Sequence, residues 1–152
     1  MIRDDIKAAL VGAMKSGDKP RTATIRLIQS ALKNRDIELR GGGAAPAGDD
    51  LLVTEVLQKM VKQRRESVAL YAQGGRQELA DAETAEIAVI EGFLPRQMSE
   101  DEARAAIDAV VAETGASSLK DMGRVMAALR ERHAGQLDMA KASGLVKARL
   151  SA

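Results

Sequence analysis

Apolar residues recur at helical spacing along almost the whole chain, and this spacing restricts the fold more than any other feature. In the first segment Ile2, Ile6, Leu10 and Met14 lie four residues apart, which places them on one face of an α-helix. Six further stripes begin near residues 20, 49, 76, 99, 117 and 138. The period-two alternation of a β-strand never extends beyond a few residues. We therefore predict an all-α protein.

The core of this protein must be aliphatic. Trp is absent, and Tyr71 and Phe93 are the only aromatic residues. Leu, Ile, Val, Met and Ala must then fill the interior, with Ala permitting close approach of helices and Met filling irregular gaps. Such a composition favours helices packed on helices over a β-sandwich.

Helix-breaking residues divide the stripes into two groups. Gly17 and Gly74-Gly75 interrupt the first group, which ends at Pro95. We predict a four-helix N-terminal lobe over residues 1–95 and a small three-helix C-terminal lobe over residues 96–152. The fourth helix is expected to run from Arg76 to Leu94. Within the first lobe, the Gly-rich and Pro-containing segment from Gly41 to Gly48 is predicted to be a flexible loop.

Polar residues mark the starts of the three C-terminal helices. Ser99 and Glu102 have the spacing of a capping box, in which each side chain bonds to the backbone of the other. Ser117 or Ser118 is predicted to begin the sixth helix, and Asp138 to cap the seventh.

Charge is distributed unevenly along the chain. The 23 Lys and Arg residues nearly balance the 22 Asp and Glu residues, so the net charge of +1 says little about partners. From Lys120 onward, however, seven basic residues face three acidic ones, a surplus of 7 − 3 = +4. Another basic stretch runs from Lys19 to Arg35, and an acidic one from Glu78 to Glu91.

The basic residues of this last segment predict contacts with the phosphates of a nucleic acid. The residues selected for this role are Lys120, Arg124, Arg130, Lys141 and Lys147. Lys120 and Arg124 lie four residues apart, so some of these cations are expected to share a face. The competing interpretation is that they only keep the protein soluble. Because aromatic side chains for base stacking are nearly lacking, any RNA contact should recognise the shape of a folded RNA such as tRNA.

Residue types that carry catalysis or bind metals form no recognisable pattern. Cys is absent, and we find no nucleophile with an activating base. The triple glycine at residues 41–43 lacks the Gly-Lys-Ser/Thr ending of a phosphate-binding loop. The only histidine, His133, is expected to interact with the negative end of a helix. No catalytic centre, metal site or cofactor is therefore predicted.

Two further clusters favour structural roles. The carboxylates of Glu83, Glu86 and Glu91 are predicted to form a solvated face. Met122, Met126 and Met139 are predicted to be core residues rather than a binding surface.

A cytoplasmic location is expected. The absence of Cys is typical of a reducing compartment. Asp4 and Asp5 lie where a signal peptide would need apolar residues, and no apolar run approaches the length of a membrane span.

Several short motifs, in a characteristic order, are similar to those of one family. They are Arg26-Leu27-Ile28-Gln29-Ser30-Ala31, Gln63-Arg64-Arg65-Glu66-Ser67, Gly75-Arg76-Gln77-Glu78-Leu79-Ala80, Phe93-Leu94-Pro95, Asp121-Met122-Gly123, Val125-Met126 and Gly135-Gln136-Leu137-Asp138, followed by Val146 and Leu150. The chain thus resembles the YqeY proteins, whose sequence is shared with the C-terminal portion of GatB, a subunit of the Asp/Glu-tRNA amidotransferase. The resemblance covers nearly the whole chain, although the segment from Gly41 to Gly48 departs from the family pattern.

The resemblance implies a two-lobed, all-α protein whose relatives, when fused to GatB, help to hold the tRNA body. It implies tRNA, and an amidotransferase or aminoacyl-tRNA synthetase component, as candidate partners. Stand-alone members often carry the label of a carbon–nitrogen ligase with glutamine as amido donor, which describes the whole complex.

Three hypotheses for function follow. The first is a non-catalytic accessory or adaptor protein that binds tRNA through shape and phosphate contacts. The second is a helical protein-interaction module without RNA binding. The third is a component of glutamine-dependent carbon–nitrogen ligation, for which the residues supply no nucleophile or phosphate site.

Overall fold

The protein is all-α, as predicted. The computed structural model describes residues 1–42, 48–133 and 135–151. These residues form seven α-helices and one short 3-10 helix, and no strand occurs among them. Most of the predicted Gly41 to Gly48 loop, residues 43–47, lies outside the described residues. The chain divides into two compact units, Met1–Leu94 and Pro95–Ala152.

Four helices form the N-terminal unit: α1 (Ile2–Ser16), α2 (Lys19–Arg40), α3 (Asp49–Gln73) and α4 (Gln77–Glu91). Their buried faces meet in an aliphatic core that includes Ile6, Ile28, Val53, Leu57 and Ile90. These side chains recur at helical spacing, which is the pattern that the sequence predicts.

Local signals set the tight turn between α1 and α2. Gly17 adopts a left-handed conformation with φ 72°, and its N–H donates to the carbonyls of Ala13 and Met14. Asp18 then caps α2 by accepting from the backbone N–H of Arg21 at 3.1 Å. Arg3, near the start of α1, reaches Asp36, near the end of α2, at 3.2 Å, so the two helices run antiparallel.

Helix α4 is shorter than predicted. It spans Gln77–Glu91 rather than Arg76 to Leu94. The backbone N–H groups of Phe93 and Leu94 donate to carbonyls only three residues back, so the last turn tightens. Pro95 explains this ending, because a proline disfavours helical dihedrals at the residue before it.

Three α-helices and the 3-10 helix form the C-terminal unit: α5 (Glu100–Thr114), η1 (Leu119–Asp121), α6 (Met122–Arg132) and α7 (Met139–Ser151). Their core includes Ile107, Val110, Val125, Leu129 and Val146. Met122, Met126 and Met139 are partly buried against it, which confirms their predicted packing role.

The predicted capping box of α5 is present. Ser99 Oγ accepts from the backbone N–H of Glu102 at 3.2 Å, and the Glu102 carboxylate accepts from the N–H of Ser99 at 3.3 Å. Arg96 holds the same carboxylate through two hydrogen bonds of 3.0 Å. These bonds lower the pKa of Glu102, chiefly through Arg96.

The predicted sixth helix begins as the 3-10 turn η1 rather than as an α-helix. The Asp121 carboxylate accepts from the backbone N–H groups of Ser117 at 2.9 Å and Ser118 at 3.3 Å. By reaching back to residues three and four positions earlier, Asp121 holds the chain in a tight turn, and α6 begins at Met122.

Candidate nucleic-acid interface

The five predicted phosphate-binding cations all lie on the surface of the C-terminal unit. Lys120 lies in η1, Arg124 and Arg130 on α6, and Lys141 and Lys147 on α7. All five side chains are exposed. The neighbouring buried residues on α6 and α7 point into the core, so these cations face solvent.

Ion pairing separates these five cations into two groups. Arg124 donates to Asp121 at 3.1 Å and is therefore partly neutralised. Lys120, Arg130, Lys141 and Lys147 form no ion pair with any residue that the structure describes. These four carry the charge that remains available to a ligand, and we call them the C-terminal cations.

Two other basic residues of this region are occupied. Arg132 pairs with Glu113, and Arg149 pairs with Asp108 at 2.9 Å. Glu113 and Asp108 both lie on α5, so these pairs join α6 and α7 to α5. The sequence count of seven basic residues therefore overstates the charge available for binding.

Most acidic side chains of the unit are also occupied. Five carboxylates pair with arginines; they belong to Glu100, Glu102, Asp108, Glu113 and Asp121. Asp138 caps α7, as predicted, by accepting from the backbone N–H groups of Ala140 and Lys141. Within the described part of this unit, Asp101, Glu131 and the still-charged Asp138 remain against the four C-terminal cations, so the residual surface charge is 4 − 3 = +1.

The cations do not all share one face. Arg124 and Arg130 are six residues apart on α6, and so are Lys141 and Lys147 on α7. On a regular helix, six residues correspond to a rotation of about 120° between side chains. Each pair therefore spreads around its helix, which suits a ligand that extends around the unit better than a small anion.

The lone histidine lies at the end of α6, where it was predicted. His133 is the C-terminal capping residue, and its backbone N–H donates to the carbonyl of Leu129 at 2.9 Å. No group of three or more His, Cys, Asp or Glu side chains suited to a metal ion occurs within residues 1–42, 48–133 and 135–151.

The predicted acidic face of α4 has a different role from the one expected. Glu86 accepts from Arg64 Nε at 2.9 Å, with Glu83 at 3.9 Å from the same atom. Glu91 accepts from Arg65 at 2.8 Å. These carboxylates join α4 to α3 rather than forming a merely solvated face, because the Gln63 to Ser67 motif supplies two arginines opposite them.

A second ionic network joins the first three helices and was not foreseen. Arg3 donates to Asp49 at 3.0 Å and to Asp36 at 3.2 Å, and the N–H of Ile2 donates to Asp50 at 3.0 Å. The bond to Arg3 lowers the pKa of Asp49. These contacts span more than thirty residues of sequence, so no local motif could have indicated them.

No helix in the described part of the chain is both long enough and apolar enough to cross a membrane.

Comparison with known proteins connects the chain to one family. The family model described as Yqey-like protein matches residues 3–150. Altered inheritance of mitochondria protein 41 of Kluyveromyces lactis is 30% identical over 88 residues, which are 58% of this chain and 45% of that protein. The protein of the same name from Lachancea thermotolerans is 30% identical over 90 residues, 59% of this chain and 46% of that protein.

An uncharacterized protein of Schizosaccharomyces pombe is 30% identical over 94 residues, 62% of this chain and 72% of that protein. The matched segment spans about half the length of the Kluyveromyces and Lachancea relatives.

These relatives correct the predicted location. The expectation of a cytoplasmic protein was wrong, because the Kluyveromyces and Lachancea relatives are named as mitochondrial. That expectation depended on the absence of Cys and on Asp4 and Asp5. Such features describe the folded helices and carry no information about targeting to an organelle.

The order of the motifs, the all-α fold and a family match over residues 3–150 lead to one conclusion: the chain belongs to the family of Yqey-like proteins.

Proposed function

We propose that this protein is a non-catalytic accessory or adaptor protein of tRNA-dependent amidation, and that it binds tRNA through phosphate contacts. The observation that carries this proposal is the set of four exposed C-terminal cations, which lack ion-pair partners among the described residues. The similarity of the motifs to the C-terminal portion of GatB supplies the choice of tRNA as ligand.

Electrostatics supports binding to a backbone rather than to bases. Lys and Arg side chains contribute affinity by neutralising phosphates and releasing counterions, and they do so without reading sequence. The chain has a single Tyr and a single Phe, so stacking platforms for unpaired bases are scarce. The spread of cations around α6 and α7 fits a ligand with phosphates on a curved surface, as in folded RNA.

Charge reversal of three lysines tests this proposal. The triple variant Lys120→Glu, Lys141→Glu, Lys147→Glu should weaken tRNA binding by at least about tenfold at moderate salt, because each change removes one phosphate contact and adds repulsion. The matched control carries Lys15→Glu, Lys59→Glu and Lys62→Glu, at exposed lysines of α1 and α3. Both variants have the same net charge.

The control variant should lose only the smaller, non-specific part of the affinity for tRNA. Its dissociation constant should stay within about threefold of that of the unaltered protein. Fluorescence anisotropy with labelled tRNA measures both variants, and circular dichroism checks that they fold. Equal losses in the two variants, or no tRNA binding by the unaltered protein, would contradict the proposal.

A further inference from the structure

A second cationic surface lies on the N-terminal unit, along the exposed face of α2. Four basic residues are spaced seven apart on this helix: Lys19, Arg26, Lys33 and Arg40. All four are exposed. We call them the α2 basic row.

The spacing makes this row nearly straight. Seven residues are close to two full helical turns. Each member of the row is therefore rotated by only about 20° around the helix axis from the one before it, and lies about 10 Å further along that axis. The row is therefore about 30 Å long. It lies on a different face of the helix from Ile25, Ile28 and Leu32, which are buried.

Nothing in the described residues neutralises this row. None of its four members forms an ion pair there. Of the nearby carboxylates, Asp36 accepts from Arg3 at 3.2 Å and Glu38 accepts from Arg35 at 3.3 Å. Asp18, next to Lys19, caps the helix through a backbone N–H and forms no ion pair with a described residue.

Ala23, Ser30 and Ile37 lie between the basic residues. Together with the row they form a series in which neighbouring members are alternately four and three residues apart. This is the spacing of a helix–helix seam. Ala23 and Ser30 are small, so a second helix could approach closely between the cations.

Large exposed apolar side chains lie within and beside the row. The exposed fraction is 47% for Leu27, 52% for Ile37 and 54% for Met14. Met14 also lines a groove of about 340 Å³ between α1 and α2, together with Lys19 and Arg26. The surface is thus both cationic and apolar.

This combination identifies the kind of partner. We propose that the exposed face of α2 binds an acidic amphipathic helix of another protein, with carboxylates against the α2 basic row and apolar residues against Met14, Leu27 and Ile37. The inference does not depend on tRNA binding by the C-terminal cations.

Charge and polarity argue against the other occupants. A second copy of this chain docked through the same face would place cations of the row against cations, which is unfavourable at a helix–helix seam. A nucleic-acid backbone would satisfy the row but would offer phosphates and sugars to the exposed apolar side chains. An acidic helix satisfies both features, since such helices recognise partners through apolar anchors at helical spacing.

A synthetic peptide tests the proposal with the full-length protein. The probe is an amphipathic helix of about four heptads with a Leu seam flanked by Glu, and its control carries Lys in place of each Glu. The variant Arg26→Glu, Lys33→Glu, Arg40→Glu should weaken binding of the acidic peptide at least about tenfold. The matched triple reversal of Lys15, Lys59 and Lys62 should change it by less than about threefold.

The apolar contribution is measured separately. Ile37→Ser keeps the charge and should weaken peptide binding about threefold or more, because an exposed apolar contact is lost. The Lys-containing control peptide should not bind.

Three outcomes would overturn the proposal. The first is that the α2 triple variant (Arg26, Lys33 and Arg40 reversed) and the control triple variant weaken peptide binding equally. The second is that the acidic peptide does not bind at physiological salt. The third is that the α2 triple variant loses binding to duplex RNA while its binding to the peptide is unchanged. The last outcome would assign the row to nucleic acid. The variant with Lys120, Lys141 and Lys147 reversed should keep full affinity for the peptide. A failure of the peptide-binding proposal can therefore be distinguished from a failure of the tRNA-binding proposal.

Discussion

Arg64 joins α3 to α4 through an ion pair. Its side chain is 15% exposed, and its Nε donates to Glu86 at 2.9 Å while Glu83 lies 3.9 Å away. Nη1 also reaches the carbonyl of Met60 at 3.5 Å. A charge that is so largely withdrawn from water must keep its partners, because an unpaired one would be costly.

Replacing this arginine should therefore destabilise the fold. Arg64→Ala is expected to lower the free energy of unfolding by about 2 kcal/mol, since a charged hydrogen bond is lost and Glu86, which is 32% exposed, is left without its partner. Arg76→Ala is the control. Its pair with Glu78 is largely exposed, at 61% and 67%, so its removal should cost clearly less than the removal of Arg64. Urea denaturation followed by circular dichroism compares the two, and equal losses would contradict the role of Arg64.

Asp121 should make stability depend on pH in the acidic range. Its pKa is lowered by the backbone N–H groups of Ser117 and Ser118, with a smaller contribution from Arg124. A carboxyl group whose pKa is lower in the folded state stabilises the fold above its unfolded pKa of about 4. This contribution is lost as the pH falls through the lower folded value.

Comparison with Asp121→Asn isolates this effect. The variant should be less stable than the unaltered protein near about pH 7, and the difference should shrink below about pH 4 as Asp121 becomes protonated. Thermal unfolding at several pH values measures it. A difference that stays constant across this range would show that the charge on Asp121 does not contribute.

At the scale of helices, the boundaries that depend on a local signal could be predicted from the sequence. Gly17 and Ser99 each act within a few residues, and each ends or begins a helix where expected. The end of α4 and the 3-10 turn η1 differed, because Pro95 and Asp121 act on the preceding turn in ways that apolar spacing does not show.

Burial on α2 offers a direct test of the packing. Ile28 is fully buried and Ile37 is 52% exposed on the same helix. Ile28→Ala should cost about 2 to 5 kcal/mol through lost burial and a cavity, whereas Ile37→Ala should stay within about 0.5 kcal/mol. Chemical denaturation of both variants provides the measurement. Similar losses at the two positions would contradict the orientation of α2.

At the scale of the whole molecule, the fold class could be predicted from the sequence but the free charge could not. Apolar periodicity is local and points to helices wherever it occurs. Whether a cation is free depends on contacts such as Arg149 with Asp108, which are 41 residues apart. The pair of Arg124 with Asp121 is a different case, because it spans only three residues and its spacing was present in the sequence.

The α2 basic row shows the opposite situation. Its seven-residue spacing was present in the sequence, and the basic stretch from Lys19 to Arg35 was noticed by composition alone. Only the helix geometry, together with the exposure of Lys19, Arg26, Lys33 and Arg40, reveals a continuous surface.

The salt dependence of tRNA binding tests the central claim most directly. The logarithm of the binding constant should fall linearly with the logarithm of salt concentration for the unaltered protein. The slope should become shallower by about 2 to 3 in the variant with Lys120, Lys141 and Lys147 reversed, since each phosphate contact contributes nearly one. A slope that is the same in both proteins would contradict the assignment of these lysines to tRNA phosphates.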